Sequence, residues 1–319
     1  DPDIIVLSLL PELFIPDFEM GAWGADDVSE SLIHLFDQLA SRTDAVVVMN
    51  TFPRPAYSEL GSTADGAYKI SRVNDAIFQY AFGKPSQFFV VDWEMLLMTL
   101  GESSSYDRRF WYLAKAPFKP SFLDLYAKEI CKIGRALRGK SKKCLVLDCD
   151  NTLWGGVVGE DGLKGVVLDR NEYPGSVYYD FQRSVLGLVD QGVVLALCSK
   201  NDEEDVWRVL DEHPHSLLKR EHFAAHRINW EDKAGNIESL ALELNLGLDS
   251  FVFVDDSDFE CDLVRQLLPD VTVRQVPKRL SEYPLLLRTE GLFDKLTYSD
   301  EDQARTRMYQ DESSRRTHA

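Results

Sequence analysis

Two aspartates spaced Asp-x-Asp close an apolar run in Lys-Cys-Leu-Val-Leu-Asp-Cys-Asp-Asn-Thr-Leu-Trp, residues 143–154. Residues 145–147 suit a strand buried on both faces. Such strands deliver the residues after them to the carboxyl edge of an open α/β sheet, where ligands bind. Asp148 and Asp150 stand at that point. Carboxylates so close repel each other and attract a hard divalent cation such as Mg²⁺. A plainer use exists, because Asp150-Asn151-Thr152 also suits a turn or a helix cap.

Three later segments add to this pair. Gly-Val-Val-Leu-Ala-Leu-Cys, residues 192–198, forms a second apolar strand that ends at Ser199, and Asn201 with Glu204 has the pattern of a helix cap. Lys233 precedes an amphipathic stretch, residues 237–244, from which a cation can reach a bound phosphate. A third buried strand, residues 251–254, runs into Asp255, Asp256 and then Asp258. Singly these read as a cap, a surface charge and a turn; the order Asp-x-Asp, Ser, Lys, Asp-Asp asks for one explanation.

Over residues 141–295 that order resembles the haloacid dehalogenase (HAD) superfamily of aspartate-nucleophile phosphotransferases, whose four motifs it matches in sequence. The resemblance implies Asp148 as nucleophile and Asp150 as general acid/base. It implies Ser199 and Lys233 as phosphoryl binders, joined by Thr152, Lys200 and Asn201 on the substrate side. Asp148, Asp150, Asp255 and Asp256 are the implied Mg²⁺ ligands. An aspartyl phosphate would split one hard displacement into two easier ones.

The flanks narrow the resemblance. Asp-Cys-Asp-Asn-Thr-Leu-Trp-Gly-Gly-Val-Val-Gly-Glu-Asp-Gly at 148–162, Cys-Ser-Lys-Asn at 198–201 and Val-Asp-Asp at 254–256 are similar to the FkbH-like branch. That branch takes the glyceryl group of 1,3-bisphosphoglycerate, removes phosphate and leaves a glyceryl thioester on an acyl carrier protein, which implies polyketide or related natural-product assembly. Within it, a thiol that holds the acyl group is expected, and Cys149 between the two aspartates is the catalytic candidate, with Cys198 behind it. If the strand ran on, period-two alternation would turn Cys149 away from the carboxylates. Carboxylates would raise a thiol's pKa while Mg²⁺ and Lys233 would lower it. Both cysteines also read as small buried hydrophobes. A plain Mg²⁺-dependent phosphatase acting on a phosphoprotein or small phosphate ester is the alternative, and a HAD-derived binding module without turnover is a third reading.

The site needs a scaffold, and the spacing describes it. Ser199 lies 51 positions after Asp148 and Lys233 lies 34 after Ser199, too close for an inserted cap domain. The first interval suits a Gly-rich hairpin flap (155–172) and a helix at 177–190. The second suits a helix at 203–210 and a short strand near Arg227. A site without a cap suits a macromolecular substrate or a lid supplied from elsewhere. The expected fold is α/β, two doubly wound parallel-sheet domains, the carboxyl-terminal one a capless HAD Rossmann-like fold. Residues 1–138 form the first domain, 139–298 the catalytic domain, and 299–319 a polar tail or helix, with 139–143 as linker.

In residues 1–138, strands at 4–9, 45–49 and 88–91 alternate with helices at 28–39, 68–81 and 122–137, the pattern of a parallel sheet. The order resembles the later part of an SGNH-hydrolase fold. Where that family carries Asp-x-x-His, this chain has Asp107-Arg108-Arg109-Phe110, and no Gly-Asp-Ser stands upstream. Without the His a serine has no base, so the expected role is a noncatalytic scaffold or docking module.

Composition agrees. A 319-residue chain that is 45% hydrophobic supports two cores. No apolar run approaches the roughly 18 residues of a membrane span, and no signal peptide is visible. Five cysteines without metal-ligand spacing suit a reducing, cytoplasmic setting. A net charge of −18 excludes a nucleic-acid groove as the expected surface, although carrier proteins are themselves usually acidic.

Overall fold

Three strands, β1 (Ile4–Leu7), β2 (Val46–Asn50) and β3 (Phe88–Val91), pair in parallel in that order. The middle strand β2 is buried along its whole length, because its alternating side chains feed two cores. Val47 and Met49 pack with the helices Ala25–Ala40 and Asp65–Gly83, and Val46 and Val48 face Trp93, Phe122 and Tyr126 on the other side. The computed structural model describes residues 2–54, 65–287 and 291–295. The chain divides into two compact units, one ending at Arg138 and the other starting at Gly139.

The stretch compared with Asp-x-x-His is occupied by local structure. Asp107 caps the helix Arg108–Ala114, accepting the Arg109 amide at 3.0 Å and its guanidinium Nη2 at 2.6 Å. Hydrogen bonds from Arg109 hold the Asp107 carboxyl down to about 2. The short helices Trp93–Leu100, Glu102–Ser105 and Arg108–Ala114 fill a region for which the sequence pattern predicts no element.

In the second unit β4 (Cys144–Leu147), β5 (Val194–Ser199), β6 (Phe223–Ile228), β7 (Phe251–Asp255) and β8 (Thr272–Gln275) form one parallel sheet in the order β6-β5-β4-β7-β8. The chain winds outward from β4 to β6 and then returns to β7. The order therefore reverses between β4 and β7, and the crevice at their carboxyl ends is the ligand position of such sheets. Both faces are covered: Leu145, Leu147 and Cys149 belong to one core and Cys144, Val146 and Cys198 to the other.

Two expectations change. The segment 155–172 is no hairpin: one antiparallel bridge, Gly155 to Val167, closes a loop that contains the helix Val158–Gly165. Asn151 turns the chain with φ 53°, and its Oδ1 accepts the Gly156 amide at 2.9 Å. Gly156 itself has φ 91°, which favours glycine, and a Cβ there would lie 2.8 Å from Asp161 Oδ2 and displace the carboxylate that accepts the Val157 amide. The proposed linker also differs, since the Lys142 and Lys143 amides bond to Leu292 and Ser250 at 2.8 Å and so belong to the second unit. The tail 299–319 lies outside the described residues. Among those residues no helix is long and apolar enough to cross a membrane.

Candidate active site

The alternation of β4 decides what each residue after it faces. Leu145, Leu147 and Cys149 share one side, so Asp148 falls to the other, towards the helix Lys233–Glu243. Lys233 is the first residue of that helix and is 4% exposed. A cation at a helix amino terminus opposes the dipole and loses hydration on burial. Two carboxylates offset both costs: Lys233 Nζ lies 2.8 Å from Asp148 Oδ1 and 2.5 Å from Asp255 Oδ2. Burial works against the ammonium, yet Asp148 and Asp255 together hold its pKa above the ordinary value.

The acids are more crowded than one lysine can balance. Asp148, Asp255 and Asp256 bring a carboxylate oxygen each within 4.8 Å of one another. Burial and the charge of Asp148 push the Asp255 carboxyl up to about 7, and the same two causes raise Asp256. With all three ionised, the carboxylates exceed the one ammonium by two negative charges, and the donors are all hard oxygens. A divalent cation of the Mg²⁺ type fits that set in charge and in chemistry. The carboxylate of Asp150 is outside the group. Its Oδ1 accepts Trp154 Nε1 at 2.8 Å and the Val158 amide at 3.0 Å, and its Oδ2 accepts Asn201 Nδ2 at 2.9 Å.

The remaining candidates divide by where they point. Ser199 ends β5 beside β4, 1% exposed, and its hydroxyl accepts Asn201 Nδ2 at 3.2 Å. Asn201 is no helix cap: the helix Glu203–Glu212 starts from Asp202, and Asn201 turns inward to Ser199 and Asp150 instead. Lys200 Nζ reaches across to Glu260 Oε1 at 2.7 Å while its side chain stays one-third exposed. Thr152 is fully buried with Oγ1 unpartnered, and its carbonyl accepts the Tyr283 hydroxyl at 2.8 Å. Cys149 and Cys198 are both 0% exposed. Burial first, then Asp148, pushes the Cys149 thiol well above its ordinary range, and burial raises Cys198 as well.

Three participants are absent from the motif reading. Trp154 was visible only as a tryptophan four residues after Asp150, Glu260 only as another acid after Asp258, and Gln182 not at all. Gln182 donates to the Leu153 carbonyl at 2.9 Å and accepts the Leu217 and Leu218 amides, which ties the turn after β4 to a distant loop.

A scan against protein-family models and a search of curated proteins each find no match. Among solved structures, the chain is similar to the N-terminal part of the protein BF1531 from Bacteroides fragilis, which contains a phosphatase domain and is complexed with Mg. The identity is 27% and the TM-score 0.85, over 93% of this chain and 80% of that chain. A HAD family enzyme from Bacteroides thetaiotaomicron, an aspartate-to-alanine mutant with magnesium and inorganic phosphate, aligns at TM-score 0.29 and 11% identity. That alignment covers 42% of this chain and 93% of that chain, and so low a score carries no argument.

Proposed function

We propose that this chain, which has the fold of a HAD-type Mg²⁺-dependent phosphatase, moves phosphoryl groups through Asp148 and serves to load a glyceryl group onto an acyl carrier protein. The observation that carries the phosphoryl chemistry is the cluster of buried Asp148, Lys233 and Asp255 with the more open Asp256 at the crevice between β4 and β7. Asp148 and Asp255 hold Lys233 in place, and its ammonium is then positioned to offset charge on a phosphoryl oxygen. Asp148 attacks phosphorus, and Asp150 protonates the leaving oxygen and later takes a proton from the attacking water. A bound Mg²⁺, held by Asp148, Asp255 and Asp256, would shield the nucleophile from the charge of the phosphate.

The finer reading rests on the FkbH-like motifs and on the openness of the site. Between Asp148 and Lys233 the chain supplies helices and two strands and no inserted domain. Trp230 and Phe259, 71% and 69% exposed, stand just beyond β6 and β7, Trp230 on a loop and Phe259 in the first turn of the helix Asp258–Leu267, at the same sheet edge as the acids. Such an edge suits a macromolecular acceptor. We assign the substrate as 1,3-bisphosphoglycerate and the acceptor as the carrier's own thiol. That thiol attacks the acyl carbonyl and expels the C1 phosphate, and the C3 phosphate leaves through Asp148. The burial of Cys149 favours this direct route over an acyl-enzyme.

Intact mass of candidate carrier proteins, after incubation with 1,3-bisphosphoglycerate and Mg²⁺, tests the assignment. A glyceryl mass on the carrier's phosphopantetheine is expected, and it should lose the C3 phosphate only with Asp148 present, so Asp148→Asn should leave phosphoglyceryl or nothing. Phosphate release from simple esters with no carrier ever loaded would support the plain phosphatase, a reading favoured by the phosphatase domain of the Bacteroides fragilis structure.

A further inference from the structure

Asp150 is gripped on both oxygens, and the two grips differ. Trp154 Nε1 and the Val158 amide, at 2.8 and 3.0 Å, both donate to Oδ1. Oδ2 accepts one donor, Asn201 Nδ2 at 2.9 Å. A carboxylate oxygen has two lone-pair positions, and an indole or peptide N–H is a donor only. The Oδ1 lone pairs are therefore spent on groups that cannot return a proton, whereas Oδ2 keeps one free. Neither holder can drift: Trp154 is 0% exposed inside the core beneath β4, and Asn201 is 5% exposed and tied to Ser199.

We propose that Trp154 and Asn201 are positioning residues that aim Asp150 and make Oδ2 the atom through which its proton moves. The inference deepens the phosphatase reading and rests on it. As Asp148 forms its bond to phosphorus, the bond from phosphorus to the leaving oxygen breaks, its electron pair stays on that oxygen, and the proton on Asp150 Oδ2 passes to it. When water opens the aspartyl phosphate, the oxygen–phosphorus bond to Asp148 breaks, and the water's proton returns to Oδ2. Acid/base help of this kind is worth about 10²- to 10⁴-fold and depends on sub-ångström placement, so loosening one oxygen forfeits part of it. The Val158 amide opens the helix Val158–Gly165, so the loop over residues 155–167 is attached to the same carboxylate.

The leaving group reads this role and a merely structural one does not. p-Nitrophenolate departs without a proton, and an alkoxide does not. Trp154→Phe keeps the ring's packing and removes the N–H; Asn201→Leu keeps the shape and removes the other donor. Trp154→Phe, checked for folding by circular dichroism, is expected to hydrolyse p-nitrophenyl phosphate within about threefold of wild type; Asn201→Leu also releases the Ser199 hydroxyl, so for that variant the ratio between the two esters is the readout. With an alkyl phosphate, kcat relative to that for p-nitrophenyl phosphate should fall about ten- to a hundredfold in each. Equal losses on both esters, or no loss on the alkyl ester, would overturn the proposal while leaving the phosphatase reading intact. A wild-type protein inert towards both esters with Mg²⁺ would overturn the phosphatase reading and this inference with it. Should Trp154→Phe not fold, Asn201→Leu alone decides.

Discussion

Burial sets what each side chain near Asp148 can do, and Cys149 is the sharpest case. Its position between Asp148 and Asp150 makes it a candidate acyl carrier, but alternation along β4 sends the thiol into the core with Leu145 and Leu147, where desolvation and Asp148 raise its pKa. A thiol in that state is a poor nucleophile. Alkylation of the native protein with iodoacetamide should therefore label exposed Cys131 and spare Cys144, Cys149, Cys198 and Cys261. Cys149→Ala should lose about 1–2 kcal/mol of stability from the vacated core and still load the carrier. Rapid labelling of Cys149, or failed loading with phosphate release retained, would restore it as the acyl carrier. Asp148, Ser199, Asp255 and Asp256 were legible in the sequence because strand ends announce themselves as apolar runs stopping at a polar residue, and Lys233, at the start of a helix, was legible only through its place in the order of motifs. Trp154, Asn201 in its inward role and Glu260 were not, since their partners lie across the turn or on another strand.

At the scale of elements, the segment after β8 is built into the site's support. Tyr283, in the turn Leu280–Leu285, is 0% exposed, stacks on Phe181 at 4.0 Å and donates to the Thr152 carbonyl two residues after Asp150. Tyr283→Phe keeps the stack and leaves that buried carbonyl without its donor. The expected cost is about 1–3 kcal/mol, read as a lower urea midpoint at unchanged m-value. A variant with the wild-type midpoint would show that the contact contributes nothing. The element pattern was readable wherever burial was two-sided, as in β2, β4, β5 and β7, because a continuous apolar run is then required. It was unreadable in β8, where only Val273 of Thr272–Gln275 is buried, and in the loop 155–172, where the helix Val158–Gly165 contains three glycines. Edge placement and glycine-permitted turns leave no periodic trace.

For the whole molecule, the division into two units makes a calorimetric statement. Each unit has its own pair of cores, one on either face of its own sheet, so each has its own reason to melt. The metal-fitting acids all belong to the second unit, where three carboxylates face one ammonium. A cation that binds the folded crevice and not the unfolded chain stabilises by RT ln(1 + [L]/Kd), about 2.7 kcal/mol at a hundredfold excess over Kd. For a unit of this size that is roughly 5 to 10 °C. Scanning calorimetry with Mg²⁺ should therefore raise the melting of the unit from Gly139 onward and leave that of the unit ending at Arg138 in place. The shift should vanish in Asp256→Asn, which removes a ligand while sparing the ion pairs of Lys233. A shift that survives this substitution would place the cation elsewhere. No shift in either unit would leave the acid cluster balanced by protons alone, as the raised Asp255 carboxyl already allows in the absence of metal.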